Sequence, residues 1–360
     1  MLYWLLYPLR EYFSPFNLFR YITFRAAYSA VTALVIALLF GPPLIRELKK
    51  RRIWQRISSD VPARHREKKE MPTMGGILIL FSIIVSTLLW ARVENRFIHL
   101  ILFSTIYLGT LGFIDDWLKL KRNRGLKKTE KLFWQFLLGL LIGFYLYFKP
   151  FAPEFATKTS VLFFKNIFPD LGWLYIPFVA FVIVGASNAV NLTDGLDGLA
   201  IGIAGIGAAS YAVLSYVTGH MKISEYLNVL FLNGSGELTV FCTALLGGAL
   251  GFLWYNTYPS QLFMGDVGSL AIGGAVGTVA VLIKQEILLL LVGGVFVLEA
   301  FSVIVQVLYF KATKGKRIFK MSPLHHHYEL KGWKEPKVVV RFWIIAILFA
   351  FIALSTLKIR

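Results

Sequence analysis

The sequence predicts an all-α polytopic integral membrane protein of about ten transmembrane helices, with both termini periplasmic and its unusual polar residues at the cytoplasmic face. The chain is 57% hydrophobic and only 16% charged, far more apolar than soluble globular proteins are. Its apolar residues also gather into ten stretches. The uneven distribution of Lys and Arg between those stretches sets their direction.

A bilayer core about 30 Å thick takes about 20 mostly apolar residues of helix, and each stretch is read on that scale. The first span, 21–40, follows an N-terminal segment rich in Phe, Tyr and Trp, as suits a segment resting at the interface. Residues 1–8 have no basic run and no small-residue cleavage site follows, so this span is expected to remain in the protein. The second, 72–91, opens on Pro72-Thr-Met-Gly-Gly76 directly after the basic run 64–69. The third, 98–114, is short and ends at Asp115-Asp116. The fourth and fifth, 132–148 and 173–190, flank an aromatic-rich outer segment at 149–172. The sixth is 198–217. The seventh, 237–257, holds Cys242, the only cysteine, which excludes an intrachain disulfide and argues against a thiolate metal site. The eighth, 269–282, is short. The ninth, 287–310, carries Gly293-Gly294 and Glu299, the latter read as a buried hydrogen-bonding partner. The tenth is 338–357. No repeat of period 20 to 50 stands out, and residues 1–360 read as one domain.

The net charge of +18 does not indicate nucleic acid, because the cations lie in short runs between apolar spans, where insertion bias and anionic headgroups account for them. Segments 41–71, 115–131 and 311–337 carry 10, 7 and 8 Lys or Arg, and 191–197 and 258–268 carry none. The segments on the other side carry 11 in all. The basic set is therefore cytoplasmic, and both termini face outward.

Sorted by side, the polar residues share the cytoplasmic face: Asp115, Asp116, Asn191, Asp194, Asp197, Asp266, and His325, His326 and His327. A carboxylate beside hydrocarbon is costly, so function is the default reading. Capping or plain solvation is the bland alternative for any one Asp at a helix end, but it weakens when five acids converge. In residues 191–198 (Asn-Leu-Thr-Asp-Gly-Leu-Asp-Gly), Asn191, Asp194 and Asp197 recur every third position and share a side on a helical or turn-like backbone. Phe263-Met-Gly-Asp-Val-Gly-Ser269 sets one carboxylate between two glycines at the entrance to a span, a place where Asp266 and backbone N–H groups can face a metal-bound phosphate. Phe263 suits either stacking on a base or plain interfacial anchoring. Three consecutive histidines diverge by about 100° on a helix and cannot all meet one ion. With acids of the Mg²⁺ type abundant and no cysteine nearby, imidazoles that bind or protonate phosphate fit better than a zinc site.

These motifs, together with Gly112-Phe-Ile-Asp-Asp116, Asn188-Ala-Val-Asn191 and Pro323-Leu-His-His-His-Tyr-Glu329, resemble those of the phospho-N-acetylmuramoyl-pentapeptide transferases, a branch of the polyprenyl-phosphate N-acetylhexosamine-1-phosphate transferases. The resemblance spans nearly the whole chain. It implies transfer of phospho-N-acetylmuramoyl-pentapeptide from its UDP carrier to undecaprenyl phosphate, giving lipid I and UMP with Mg²⁺, at an active site on the cytoplasmic face of a bacterial inner membrane. It further implies that Asp266 binds Mg²⁺, that Asp115 is the candidate base for the lipid phosphate, and that Asp116 is a second acid near the metal. Asn191, Asp194, Gly195, Leu196, Asp197 and Phe263 would form the uridine side of the pocket. Lys68, Thr73, Asn256 and the histidines would form the rest of the polar site, the ninth span would bend around a lipid groove, and the protein would be a homodimer. The chain has Glu70-Met71 where family members often have Gly-Thr, so Lys68 and Lys69 compete for one position.

Two other readings compete. A sister enzyme moves N-acetylglucosamine 1-phosphate to the same lipid, but it interrupts the histidine motif that is continuous here. A transporter would place its site near the midplane between repeats.

Overall fold

The computed structural model describes residues 1–54, 71–122, 124–161, 163–164 and 167–359. Lys68, Lys69 and the basic run 64–69 lie outside the described residues.

Ten helices follow the ten apolar stretches: α1 (Ile22–Lys50), α2 (Gly76–Trp90), α3 (Arg96–Arg122), α4 (Lys128–Phe148), α5 (Tyr175–Thr193), α6 (Leu199–Gly219), α7 (Glu237–Asn256), α8 (Gly265–Leu282), α9 (Gly294–Ala312) and α10 (Glu335–Ile359). Among the described residues, nine are long and apolar enough to cross a membrane, and α2, with 15 residues, is the shorter one. Three boundaries differ from the sequence reading. α3 does not stop at residue 114 but runs on through Arg122, so Asp115 and Asp116 are helical residues, with cations in the turns beyond them. α8 begins at Gly265 and places Asp266 in its first turn. The ninth stretch breaks into a turn at Leu289–Val292 and then α9, with Gly293 between them.

The centre of the bundle is α8, buried along almost its whole length and packed between α3 and α5. Lipid cannot drive apolar helices together as water does, so close approach depends on small residues. At Gly273, a Cβ would sit 2.6 Å from the Ala186 carbonyl oxygen of α5. At Gly112, a Cβ would overlap the Asp266 carbonyl. Gly112 thus lets α3 lie directly against the start of α8.

At the end of the bundle opposite the aspartates, α1 and α7 are joined by a buried ion pair. Arg25 is fully buried, and its Nη1 and Nη2 donate to Glu237 at 2.6 Å each. Arg25 Nη1 also donates to the Trp90 carbonyl, and the Arg92 N–H donates to Glu237. The N-terminal amino group donates to the Leu88 carbonyl at 2.9 Å. Near the C-terminus, Lys358 lies 4.2 Å from the ring of Tyr226 on the same side. Both chain ends therefore sit at the end opposite the carboxylates.

Removing one partner from a buried pair leaves the other charged and unsatisfied, at about 3–5 kcal/mol. Glu237→Ala is expected to lower the melting temperature in detergent sharply, and Arg25→Met with Glu237→Leu to recover much of the loss. Equal losses in the single and double variants would show that the pair does not carry this stability.

Candidate active site

The C-terminal part of α3 and the first turn of α8 bring three carboxylates together. Gly265 adopts φ +73°, a left-handed conformation that glycine tolerates, and a Cβ there would lie 2.6 Å from Asp116 Oδ2. Asp116 Oδ2 accepts from the Val267 N–H at 3.2 Å, a donor at the positive end of α8. Asp115, Asp116 and Asp266 each offer an oxygen, and the three atoms lie within 4.8 Å of one another. Three hard oxygens this close can hold a metal ion.

Two lysines balance the charge. Lys119, one turn beyond Asp115 on α3, places Nζ 2.7 Å from Asp115 Oδ2, 3.3 Å from Asp116 and 2.7 Å from Asp266. Lys131, in the first turn of α4, lies 2.6 Å from Asp266 and 3.7 Å from Asp115. Asn191, at the end of α5, completes the ring: with its amide nitrogen toward Asp266 Oδ1 (3.2 Å), its oxygen accepts from Lys131 at 3.0 Å. The Leu126 N–H donates to Asp115 Oδ1 at 2.6 Å, which fixes the α3–α4 connection to the same carboxylate.

The other motif residues form the frame around this centre. Phe263 and Met264 exchange backbone hydrogen bonds with the Pro72–Gly76 segment: Phe263 N–H to the Pro72 carbonyl at 2.9 Å, Gly75 N–H to Phe263 at 2.7 Å and Gly76 N–H to Met264 at 2.8 Å. Thr73 lies beside Gly265 and Asp116. Asn256, buried at the end of α7, accepts from the Gly198 N–H and donates to the Leu262 carbonyl, so it joins two loops. Asp197 is also buried. It accepts from the Ser260 N–H, and its own N–H donates to Glu335 at the start of α10. Leu196 packs into the hydrophobic core at 3% exposure. Asp194 and Gly195 are half-buried.

The histidines lie on a short helix, Leu324–Leu330, and separate as helical neighbours must. His325 is buried against Gly195, with Nδ1 3.2 Å from Glu299 of α9. His326 Nδ1 pairs with Glu329 at 2.8 Å, and His327 Nδ1 accepts from the Lys320 N–H at 3.0 Å. None of the three joins the carboxylate cluster among the described residues. Lys119 and Lys131 are the site residues that the sequence reading missed. For Lys119 the signal was the i+3 and i+4 spacing from the aspartates, which becomes visible only once α3 is known to continue, whereas Lys131 reaches the acids from another helix and has no such spacing.

Residues 98–284 match the model of glycosyl transferase family 4. The chain is 54% identical over its full length, and that of the relative, to the phospho-N-acetylmuramoyl-pentapeptide-transferase of Syntrophus aciditrophicus. It is 56% identical to the protein of that name from Desulfosudis oleivorans and 53% identical to the one from Thermodesulfovibrio yellowstonii, each likewise over full length.

Desolvation of the half-buried Asp194 carboxyl, followed by the charges of Asp266, Asp116 and Asp197, pushes its pKa up to about 8. Ionising it costs folded-state stability. That cost is absent below the ordinary carboxylate pKa near 4, grows as pH rises from there, and is complete above about 8. Asp194→Asn is therefore expected to melt higher than the parent, measured with a chelator present, by a margin that widens from pH 5 to pH 9. A margin independent of pH would refute the assignment.

Proposed function

The chain belongs to glycosyl transferase family 4 and, within it, to the phospho-N-acetylmuramoyl-pentapeptide transferases, and from that premise we propose how its carboxylate centre performs the transfer. The protein is a multi-pass membrane phosphotransferase of peptidoglycan synthesis. The finer reading is that it moves phospho-N-acetylmuramoyl-pentapeptide from UDP to undecaprenyl phosphate at the cytoplasmic face of the bacterial inner membrane, with Mg²⁺ as cofactor. The expectation of a homodimer rests on the family alone.

The observation that carries this reading is the joining of a polyanion site to a lipid-facing groove. The groove, about 370 Å³, lies between α5 and α9. Among its lining residues are Phe181, Ala186, Val190, Gly293, Phe296 and Ile304. The break at Gly293 gives the ninth span its bend here, and Val190 lies one residue from Asn191 of the carboxylate ring. A long hydrocarbon chain lying in this groove would bring its phosphate to the inner end of α5.

In the reaction, an oxygen of the lipid phosphate forms a bond to the sugar-bearing phosphorus, and the bond from that phosphorus to UMP breaks, with the electron pair leaving on UMP. One phosphoanhydride replaces another, so positioning and charge stabilisation make up most of the catalysis. Asp266, with Asp116 and Asp115 beside it, would hold the Mg²⁺, which would supply neutralisation of the diphosphate. Lys119 and Lys131, already within 2.6–2.7 Å of Asp266, are placed to accompany the transferred phosphoryl oxygens. Asp115, held by the Leu126 N–H and Lys119, orients the incoming lipid phosphate or takes its proton. Asp194, Gly195 and Phe263 would border the uridine, and Asp197, Leu196 and Asn256 would hold that loop in shape. His325, fixed by Glu299, would bring an imidazole to the Gly195 side of the cleft, and His326 and His327 would stiffen the same helix. Thr73, beside Gly265, would extend the site toward the diphosphate.

The test is UMP release by the purified enzyme with undecaprenyl phosphate and Mg²⁺, comparing the two candidate nucleotides. Turnover of the muramoyl-pentapeptide nucleotide is expected, falling by about 10²–10³-fold in Asp266→Asn. Turnover of UDP-N-acetylglucosamine alone would transfer the assignment to the sister enzyme. Undiminished release by Asp266→Asn would remove the metal assignment.

A further inference from the structure

A second apolar groove, of about 520 Å³, lies between α3 and α4. We propose that it is a binding site for one anionic glycerophospholipid of the inner leaflet, and that its occupancy stabilises the catalytic position of Asp115. The proposal rests on the functional reading above only for its activity readout.

The groove is lined by Phe103, Ile106, Thr110 and Ile114 of α3, Trp134 of α4 and Leu126 of the connection between them. Tyr107 donates from its hydroxyl to the Trp134 carbonyl at 3.2 Å, joining the two helices across it. Phe103, Ile106, Ile114 and Trp134 are all exposed. From Phe103 to Ile114 the helix rises about 16 Å, close to half of the roughly 30 Å bilayer core. That length suits a single acyl chain of one leaflet and is short for a polyprenyl chain.

The end of the groove selects the headgroup. The α3–α4 connection and its flanks present Lys121, Arg122, Arg124, Lys127 and Lys128, all exposed, with Glu130 the one acid in residues 117–131. Lys119 and Lys131 belong to the carboxylate centre, and the other cations face the membrane surface region, where each Lys or Arg attracts an anionic headgroup. A chain lying in the groove packs against Leu126, and the Leu126 N–H holds Asp115 Oδ1 at 2.6 Å. The lipid and the carboxylate therefore act on the same residue from opposite sides.

The experiment uses the full chain in nanodiscs of phosphatidylcholine with and without phosphatidylglycerol. Bound phosphatidylglycerol is counted by native mass spectrometry, and UMP release is measured in the same discs. The parent is expected to retain phosphatidylglycerol and to turn over faster in its presence. Thr110→Trp, which fills the groove from an exposed position, is expected to lose both the retained lipid and the response while keeping the rate seen in phosphatidylcholine alone. Lys127→Ala and Lys128→Ala are each expected to weaken retention about fivefold. Equal retention by the parent and Thr110→Trp overturns the proposal, as does a response to phosphatidylglycerol that survives this substitution. Retention of undecaprenyl phosphate in place of phosphatidylglycerol also overturns it, and makes the groove a path for the acceptor. Should Thr110→Trp lose activity in every lipid, lipid retention by Ile106→Trp decides. Absence of UMP release in every disc would count against the functional reading and leave lipid retention to judge this one.

Discussion

Holding three carboxylates within 4.8 Å of one another at the edge of a hydrocarbon layer is the constraint around which the rest of the molecule is arranged. Like charges this close repel, and burial adds a desolvation penalty to each. The chain offsets both from several directions. Lys119 touches all three acids, Lys131 touches two, the Val267 N–H supports Asp116, and Asn191 inserts its amide between Asp266 and Lys131. The contacts that cross between the two helices, Lys119 with Asp266 and Val267 N–H with Asp116, need α3 to lie directly against α8, which Gly112 and Gly265 allow. Ammonium groups and a divalent cation are drawn to oxygens of this kind alike.

Around that centre the two ends of the bundle do different work. At the far end, α1, α2 and α7 are tied by Arg25, Glu237, Trp90 and Arg92, and a second buried polar group joins Thr159 and Tyr175 to Glu286 in the α8–α9 connection. At the carboxylate end, the supports are mostly backbone hydrogen bonds between loops, with Asn256 and Asp197 as buried connectors. A frame anchored at the far end can present short loops at the near end with little irregular backbone exposed to lipid. Of the apolar grooves on either side of α4 and α5, one includes Val190, the neighbour of Asn191, and the other includes Leu126, whose N–H holds Asp115.

Much of this was legible in the sequence, because a membrane span is a long signal and an acid beside it is a rare one. The ten apolar stretches became ten helices, and the separation of the three histidines followed from helical geometry alone. The losses came at boundaries. Hydropathy falls at Asp115, yet the helix continues for two more turns to Arg122, since backbone hydrogen bonding does not depend on apolar side chains. Ending the span at residue 114 placed Lys119 in a loop, and Lys131 was one more cation in an orientation count. The spacing of Asn191, Asp194 and Asp197 suggested that the three share a side. The fold instead turns Asn191 to the carboxylates and Asp197 into the protein, a distinction set by the left-handed turn at Gly198 (φ +79°) and the approach of Ser260. Glu299 was read as a buried partner, and His325 is the partner it has.

A single divalent-cation site formed by Asp115, Asp116 and Asp266 can be measured by titrating the purified protein with Mn²⁺, a spectroscopic stand-in for Mg²⁺ at oxygen-rich sites, and following free Mn²⁺ by electron paramagnetic resonance. One bound ion per chain is expected, with binding lost in Asp266→Asn and unchanged in Asp170→Asn, which alters a carboxylate that pairs with Thr157, remote from the cluster. Mn²⁺ binding that is as tight in Asp266→Asn as in the parent would contradict such a site.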